Sequence, residues 1–452
     1  MPREKALHVL VFGGGYAGLE IVRTLRKSRG FRERARITFV NQDNFFLFTS
    51  LLPEIMSGIV ETRHIVYPLR SFAAKHGVRF QMNRLRAIDP ARGLAHLEGG
   101  LSLEYDYLFL ALGATTDFYD VPGAAEFSFT MRTVMDAIRL RAHVVEMFEL
   151  ADQAEDPTVR RQLLAFLVVG GGVTGVEVAS EMMGLARKTL LPRYPNLASS
   201  DLTVHLVETN RRLMDRIRPE HGEIAEQHLR RLGVNLLFQR RVGGVREDRV
   251  ELDDGSRLPA HTTIWTAGVR ASCPSDGWPD GFPVMPNGKL EVDAEGRVSG
   301  QARIFAAGDL AAWRDARTGS AVPAVAQGAI QGGRTAARNL LAEMGLGQRE
   351  SLRFFDWGYI VGLGKRSTVA HVFGVPVSGW LAWYVWAFTY LVKMVGFRKQ
   401  LEVMVDHVKG LVFEPDISQI YATGEVLRAR DRQVRLARES SPAAGPTLRR
   451  ER

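Results

Sequence analysis

Cysteine is almost absent from this 452-residue sequence; Cys273 stands alone. One thiol excludes an internal disulfide and a dithiol redox centre, so the fold is not held by disulfides. The histidines lack ligand spacing and there is no cysteine cluster, so no metal centre is expected. A long apolar run is missing from residues 1–10, which pass straight into strand-like sequence. That is not the pattern of a signal peptide, and the body of the protein is expected to face the cytoplasm. Charge is only moderately one-sided, at +9. A basic balance suits a polyanion or an anionic membrane. Arginines beyond residue 428 supply much of it, however, and no nucleic-acid motif accompanies them. Nucleic acid is therefore not an expected partner.

Glycine, in contrast, is abundant at 44 residues, and its clusters are spaced in a telling way. The chain is long enough for two or three domains with full cores. Residues 11–21 read VFGGGYAGLEI and residues 168–178 read VVGGGVTGVEV, an internal repeat. Each copy follows a short apolar run and opens a segment of helical spacing, ending near Leu25 and near Leu185. Gly13, Gly15 and Gly18 form one G-x-G-x-x-G; Gly170, Gly172 and Gly175 form the other. The first glycine permits a tight turn and the second admits a pyrophosphate. The third lets the helix pack on the strand, with its positive end toward the phosphates. Two copies in strand–turn–helix context point to two bound dinucleotides.

The strand after each turn sets the ribose contact. LTVHLVE ends in Glu208, whose carboxylate can accept from both ribose hydroxyls and repel a 2′-phosphate, which favours NADH over NADPH. Arg211 and Arg212 follow and could receive such a phosphate. RITFVN ends in Asn41, where an acid is usual; Asn accepts without charge assistance, and Asp43 is close enough to substitute. YLFLALGA runs into Gly113 and TTIWTAG into Gly268, which suits crossings between two nucleotide domains. In RIFAAGDLAA a strand ends at Gly308, and Asp309 can bond ribityl hydroxyls or a pyrophosphate-bound water; an ordinary N-cap is the plainer use of such a residue. Pro323 suits a first helical turn, and the following segment to Leu341 reads as a helix whose N-terminus would face the flavin pyrimidine edge.

With these residues in view, the chain resembles the two-dinucleotide-binding-domain flavoproteins, and within them type II NADH dehydrogenase, the single-subunit NADH:quinone oxidoreductase. The resemblance covers about residues 7 to 415. NFFLFTSLLPE (44–54) is similar to the family's segment beneath the flavin, and AQGAIQGG (326–333) to its A-Q-x-A-x-Q-x-G quinone motif, with Gly332 where a polar residue is usual. SGWLAWYVW and the GFR at 396–398 resemble its C-terminal region. The resemblance implies an α/β fold of two Rossmann-like, glutathione-reductase-like domains plus a C-terminal membrane-associating region. It places one non-covalent FAD on Gly13, Gly14, Gly15, Tyr16, Ala17, Gly18, Asn41, Gln42, Thr49, Leu85, Gly113, Gly308, Asp309, Ala326 and Gln327. It places NADH on Gly170, Gly172, Gly175, Glu177, Glu208 and Gly268. It implies Gln327 and Gln331 near the quinone, with ubiquinone as one such acceptor, and Glu177 near the nicotinamide. An acid at 177 also suits the helix dipole with no catalytic role, and Glu20 is its counterpart in the first repeat. The expected boundaries are 1–115 with 269–345 for FAD, 116–268 for NADH and 346–427 for the C-terminal region.

Residues 379–397, GWLAWYVWAFTYLVKMVGF, are apolar and aromatic but short for a span and interrupted by Lys393. Trp380, Trp383, Tyr384, Trp386 and Tyr390 are residues suited to a headgroup interface. Leu401, Val405, Val408 and Val412 lie at helical spacing opposite Glu402, Asp406 and Lys409. These read as amphipathic helices lying on a lipid bilayer, peripheral on the cytoplasmic face of the inner membrane, without proton pumping. A homodimer face is the other use of such a surface. Residues 428–452 read as a basic disordered tail. Three rivals share parts of this pattern. A sulfide:quinone reductase needs a thiol pair that Cys273 cannot supply. A soluble ferredoxin-type reductase would not need the aromatic segment. A redox sensor would bind FAD and NADH with little turnover.

Overall fold

The computed structural model describes residues 6–364, 367–379, 382–385, 387, 389 and 394–418. Trp380, Trp386, Tyr390, Lys393 and the basic tail lie outside the described residues.

The first half of the fold runs β1 (Leu7–Phe12), α1 (Tyr16–Lys27), β2 (Ala35–Asn41), α2 (Leu52–Ser57), β3 (Arg79–Met82) and β4 (Tyr107–Leu110). The second runs β5 (Ser128–Phe129), α3 (Val134–Gln153), β6 (Ala165–Val169), α4 (Val173–Gly184), β7 (Thr203–Glu208), α5 (Pro219–Leu232), β8 (Val234–Phe238) and β9 (Thr262–Trp265). β10 (Ile304–Ala306) and α6 (Ala326–Glu343) then return to the first half, before β11 (Gly358–Gly362) and α7 (Phe397–Val412).

The first sheet has the order β10-β4-β1-β2-β3 and the second β5-β9-β6-β7-β8. All neighbours pair in parallel. Strands buried on both faces read as unbroken apolar runs, and AFLVV of β6 is buried at every position. Each sheet also carries the same insertion, a three-stranded antiparallel meander within 85–104 or 242–259, just before the strand that ends at Gly113 or Gly268. The repeat seen at two glycine turns therefore extends through whole sheets, as the α/β, two-Rossmann reading expects.

Between the sheets, Ala114–Thr116 pairs antiparallel with Val269–Ala271. α6 crosses α1 closely, because a Cβ on Gly333 would lie 2.8 Å from the Ala17 carbonyl oxygen. Pro323 does not sit in the first turn of α6. The helix starts at Ala326 with Val325 as N-cap, and Val325 donates back to the Pro323 carbonyl at 2.9 Å. Pro323 thus shapes the approach rather than the helix.

The C-terminal helix is turned opposite to an ordinary amphipathic surface helix. Val403 and Asp406 face the body and are buried. Phe397, Leu401, Val405, Val408, Val412 and Phe413 are exposed.

Candidate active site

The two glycine turns match residue for residue. Gly13 and Gly170 have φ of +105° and +101°, a region glycine enters without strain. Their N–H groups donate to Val40 and Val207 carbonyls, each at 2.9 Å. A Cβ on Gly18 would lie 1.8 Å from the Gly13 oxygen, and one on Gly175 would lie 1.8 Å from the Gly170 oxygen. Gly15 and Gly172 cap α1 and α4, and a Cβ on either would meet nothing within 4 Å. Each turn thus leaves an open cradle over a helix N-terminus, where backbone N–H groups and the helix dipole favour an anion. This donor set fits a dinucleotide pyrophosphate in each cradle.

The ends of β2 and β7 diverge in chemistry while keeping one bond. Asn41 Oδ1 accepts from Gly14 N–H at 2.7 Å, and Glu208 Oε2 accepts from Gly171 N–H at 2.6 Å. Asn41 therefore holds its turn as the acid does, with Asp43 positioned through its carbonyl, 2.9 Å from Asn41 Nδ2. Glu208 Oε1 is occupied by Thr209 Oγ1 and by the backbone and side-chain nitrogens of Asn210. Oε2 keeps one lone pair for a ribose hydroxyl. Arg212 is tied to Asp215 at 2.7 Å, while Arg211 is exposed.

Around the first cradle, Tyr16 packs edge-on against Phe46 at 5.0 Å and lies near Thr49 and Ser50 hydroxyls. Burial pushes its phenol well above the usual range, so it stays neutral. Ala17 packs under Gly308, whose φ is +74°. Asp309 follows, half-buried, with no hydrogen bond or ion pair among the described residues, so its carboxylate is free for a ligand hydroxyl. A Cβ on Gly113 would meet open space, whereas one on Gly268 would meet the Tyr119 ring at 2.5 Å. Leu85 is buried, and its carbonyl accepts from Ser275 at 3.3 Å. Gln42 is exposed and reaches Asp43. Ala326 opens α6, whose first N–H groups have no helical partners.

Gln327 and Gln331 lie one turn apart on α6, and both amides grip the strand entering β11. Gln327 donates to Asp356 at 2.8 Å and accepts from Trp357 N–H at 2.8 Å. Gln331 accepts from Phe355 N–H at 2.8 Å and donates to its carbonyl at 2.9 Å. At the other end of β11, Gly362 N–H donates to Glu177 Oε1 at 3.2 Å. Residues 355–362, which lead into and form β11, thus connect all three sequence-named residues.

Glu177 and Glu20 then part company. Glu20 is paired with Arg334 at 2.7 Å. Glu177 has no ion pair among the described residues. Burial, with Glu54 and Glu181 nearby, pushes its carboxyl up to about 8 despite the Gly362 hydrogen bond. Glu181 is likewise pushed up to about 8, by burial and then by Glu54. Sequence reasoning missed Glu181, Glu54 and His407, whose Nε2 lies 2.9 Å from Glu54 Oε2. One signal was present, since two glutamates four residues apart on a helix share a face.

Residues 7–333 match the family described as pyridine nucleotide-disulphide oxidoreductase. The chain is similar to the type II NADH:quinone oxidoreductase Ndh of Mycobacterium tuberculosis, at 28% identity over 97% of this chain and 95% of the relative. It is also 28% identical to the type II NADH:quinone oxidoreductase of Staphylococcus aureus, over 82% of this chain and 91% of that one. The structure of NDH2 from Plasmodium falciparum in complex with NADH superposes with a TM-score of 0.85 at 17% identity, covering 92% of this chain and all (100%) of the other.

Proposed function

This chain belongs to the pyridine nucleotide-disulphide oxidoreductase family, and from that premise we propose that it is an FAD-dependent, type II NADH:quinone oxidoreductase that pumps no protons. The observation that carries the reading is the duplicated cradle, two open glycine turns on two sheets that share a four-strand order. The family's disulphide chemistry needs a thiol pair, and Cys273 is the only cysteine. The full-length relatives named for NADH and quinone supply the electron donor and acceptor.

FAD, when bound, supplies the redox chemistry, accepting hydride from NADH and passing two electrons to quinone. The residues that would hold it are the Gly13–Gly18 turn, Asn41, Asp309 and the N-terminus of α6. The Gly170–Gly175 turn and Glu208 seat NADH, and the acid disfavours a 2′-phosphate. Gln327 and Gln331 fix the segment 355–358 beside the α6 N-terminus and line the approach of quinone. The Glu177 carboxyl, pushed up to about 8 by burial, can give a proton to a reacting oxygen. In this reading the FAD domain is 1–115 with 269–345, and the NADH domain is 116–268.

The exposed apolar face of α7 docks on a lipid surface, where quinone is dissolved. No helix among the described residues is long and apolar enough to cross a membrane. The enzyme works from the cytoplasmic face, where NADH is present. Flotation with vesicles of mixed neutral and anionic lipid tests this, and Val408→Glu should release the protein. A variant that stops dimerising without losing flotation would assign the face to self-association instead.

For the reaction, stopped-flow absorbance is decisive. NADH should bleach the bound flavin and a short-chain quinone should restore its colour. A flavin that stays oxidised with NADH would remove the proposal, and persistent bleaching after quinone would leave only a nucleotide-binding sensor.

A further inference from the structure

The reaction proposed above consumes one proton from solvent. NADH brings both electrons and one hydrogen as hydride, so NADH + H⁺ + quinone gives NAD⁺ + quinol. Glu177, half-buried and held by the Gly362 N–H of β11, can hand over such a proton and must then be reloaded.

A path of titratable groups leads away from it, on three helices. Glu181 sits one turn along α4, buried, beside the Ser57 hydroxyl on α2. Glu54, also on α2, acts electrostatically on both Glu177 and Glu181. Glu54 then meets His407 of α7. Among the described residues, other charged or titratable groups beside this line are Lys188 beyond α4, His228 of α5 through Ser180 at 3.4 Å, Arg141 of α3, which donates to the Met56 carbonyl at 3.3 Å, and Asp406 of α7. Asp406 is itself engaged by His64 and by the Glu61 N–H.

The His407–Glu54 contact is built to move a proton. His407 Nδ1 lies 2.8 Å from the Val403 carbonyl, so that nitrogen must carry hydrogen. Nε2 and the Glu54 oxygen, 2.9 Å apart, therefore share one proton. Either the imidazole is charged and the carboxylate ionised, or both are neutral with the proton on oxygen. The proton can cross without a heavy atom moving. Burial opposes a charged His407, but Glu54 outweighs it and its affinity for the proton is raised. Burial and the neighbouring carboxylates push the Glu177 and Glu181 carboxyls up, so these two hold protons beside the His407–Glu54 pair.

We propose that His407, Glu54 and Glu181 form a proton relay that enters beneath the C-terminal helix and reloads Glu177 after each quinone reduction. A proton taken up at His407 passes to Glu54, then to Glu181 and Glu177, and leaves as the quinol O–H. The inference rests on the quinone reading of the site.

The test uses the flavin-loaded enzyme and two variants, Glu181→Gln and His407→Gln, both of which keep a hydrogen-bonding side chain. Bleaching by NADH should keep its wild-type rate. Recovery of colour with a short-chain quinone should slow by about a hundredfold, in line with loss of a positioned acid. Its solvent deuterium isotope effect should rise, and Glu181→Asp should recover part of the rate. Independently of turnover, redox-difference infrared spectra should lose a protonated-carboxyl band in Glu181→Gln. Calorimetry should show that variant folded, and more heat-stable than wild type above pH 8. Wild-type recovery rates in both variants, with an unchanged carboxyl band, would overturn the relay alone. Wild-type flavin left oxidised by NADH would overturn the reaction reading and the relay with it.

Discussion

The two nucleotide cradles share a backbone and differ in their acids. Gly13 and Gly170 bend the same way, Gly18 and Gly175 touch the same carbonyl, and both turns are held by a side chain at the end of the next strand. Yet Glu20 is neutralised by Arg334, while Glu177 has no ion pair among the described residues and lies near two buried carboxyls. Asn41 does with an amide what Glu208 does with a carboxylate. The shared part is what any dinucleotide pyrophosphate requires. On the function proposed above, the divergent part separates a permanent seat from a site of exchange and proton chemistry.

The comparison can be broken most severely at the third glycine. Gly18→Val and Gly175→Val each drive a side chain into a carbonyl oxygen 1.8 Å away. Gly18→Val should yield colourless protein. Gly175→Val should stay yellow yet lose NADH affinity by more than about a hundredfold, in the range of severe single substitutions. Absorbance and an NADH titration separate the two; equal loss of colour in both would contradict the assignment of the cradles.

The next largest effect separates the paired acids. Glu177→Gln should slow quinone-dependent recovery of colour by about a hundredfold and abolish its decline above pH 8. Glu20→Gln should leave the pH profile alone and cost about 1 kcal/mol of stability, the scale of a partly exposed ion pair. Pre-steady-state rates against pH and denaturant melts check each.

Stability should show the same asymmetry. Glu177 and Glu181 titrate near 8 when folded and near 4.5 when not. Between those values the folded state binds more protons than the unfolded state, so stability falls as pH rises through that window and levels off above it. Calorimetry of Glu181→Gln across the range should show a shallower fall than wild type, whereas Glu20→Gln should parallel wild type.

The smallest effect concerns the strand ends. Glu208→Gln removes the charge that repels a 2′-phosphate, next to the exposed Arg211, and should raise NADPH use by about tenfold, roughly 1.4 kcal/mol. Asn41→Asp should leave nucleotide preference unchanged. The ratio of kcat/KM values for NADPH and NADH measures both.

Much of the first layer was legible from sequence because backbone geometry restricts residue choice. Positive φ at Gly13 and Gly170, and contact distances at Gly18 and Gly175, admit only glycine. Continuous apolar runs announced parallel strands. Glu20 and Glu177 were indistinguishable in sequence because what separates them is remote: Arg334 for one, Gly362 and Glu54 for the other. Glu54 and His407 are 353 positions apart, and no local pattern joins them. Gln327 and Gln331 suggested a ligand in sequence; that both amides also hold residues 355–358 depends on a segment more than twenty positions away. Helical spacing marked α7 as amphipathic but could not say which face turns inward; buried Asp406 decides it.

Diffraction from the flavin-loaded protein soaked with NAD⁺ tests the central claim most directly. The flavin nucleotide's pyrophosphate should lie against Gly15, at the head of α1, and that of NAD⁺ against Gly172, at the head of α4. A flavin nucleotide at Gly172, or NAD⁺ bound away from both turns, would contradict it.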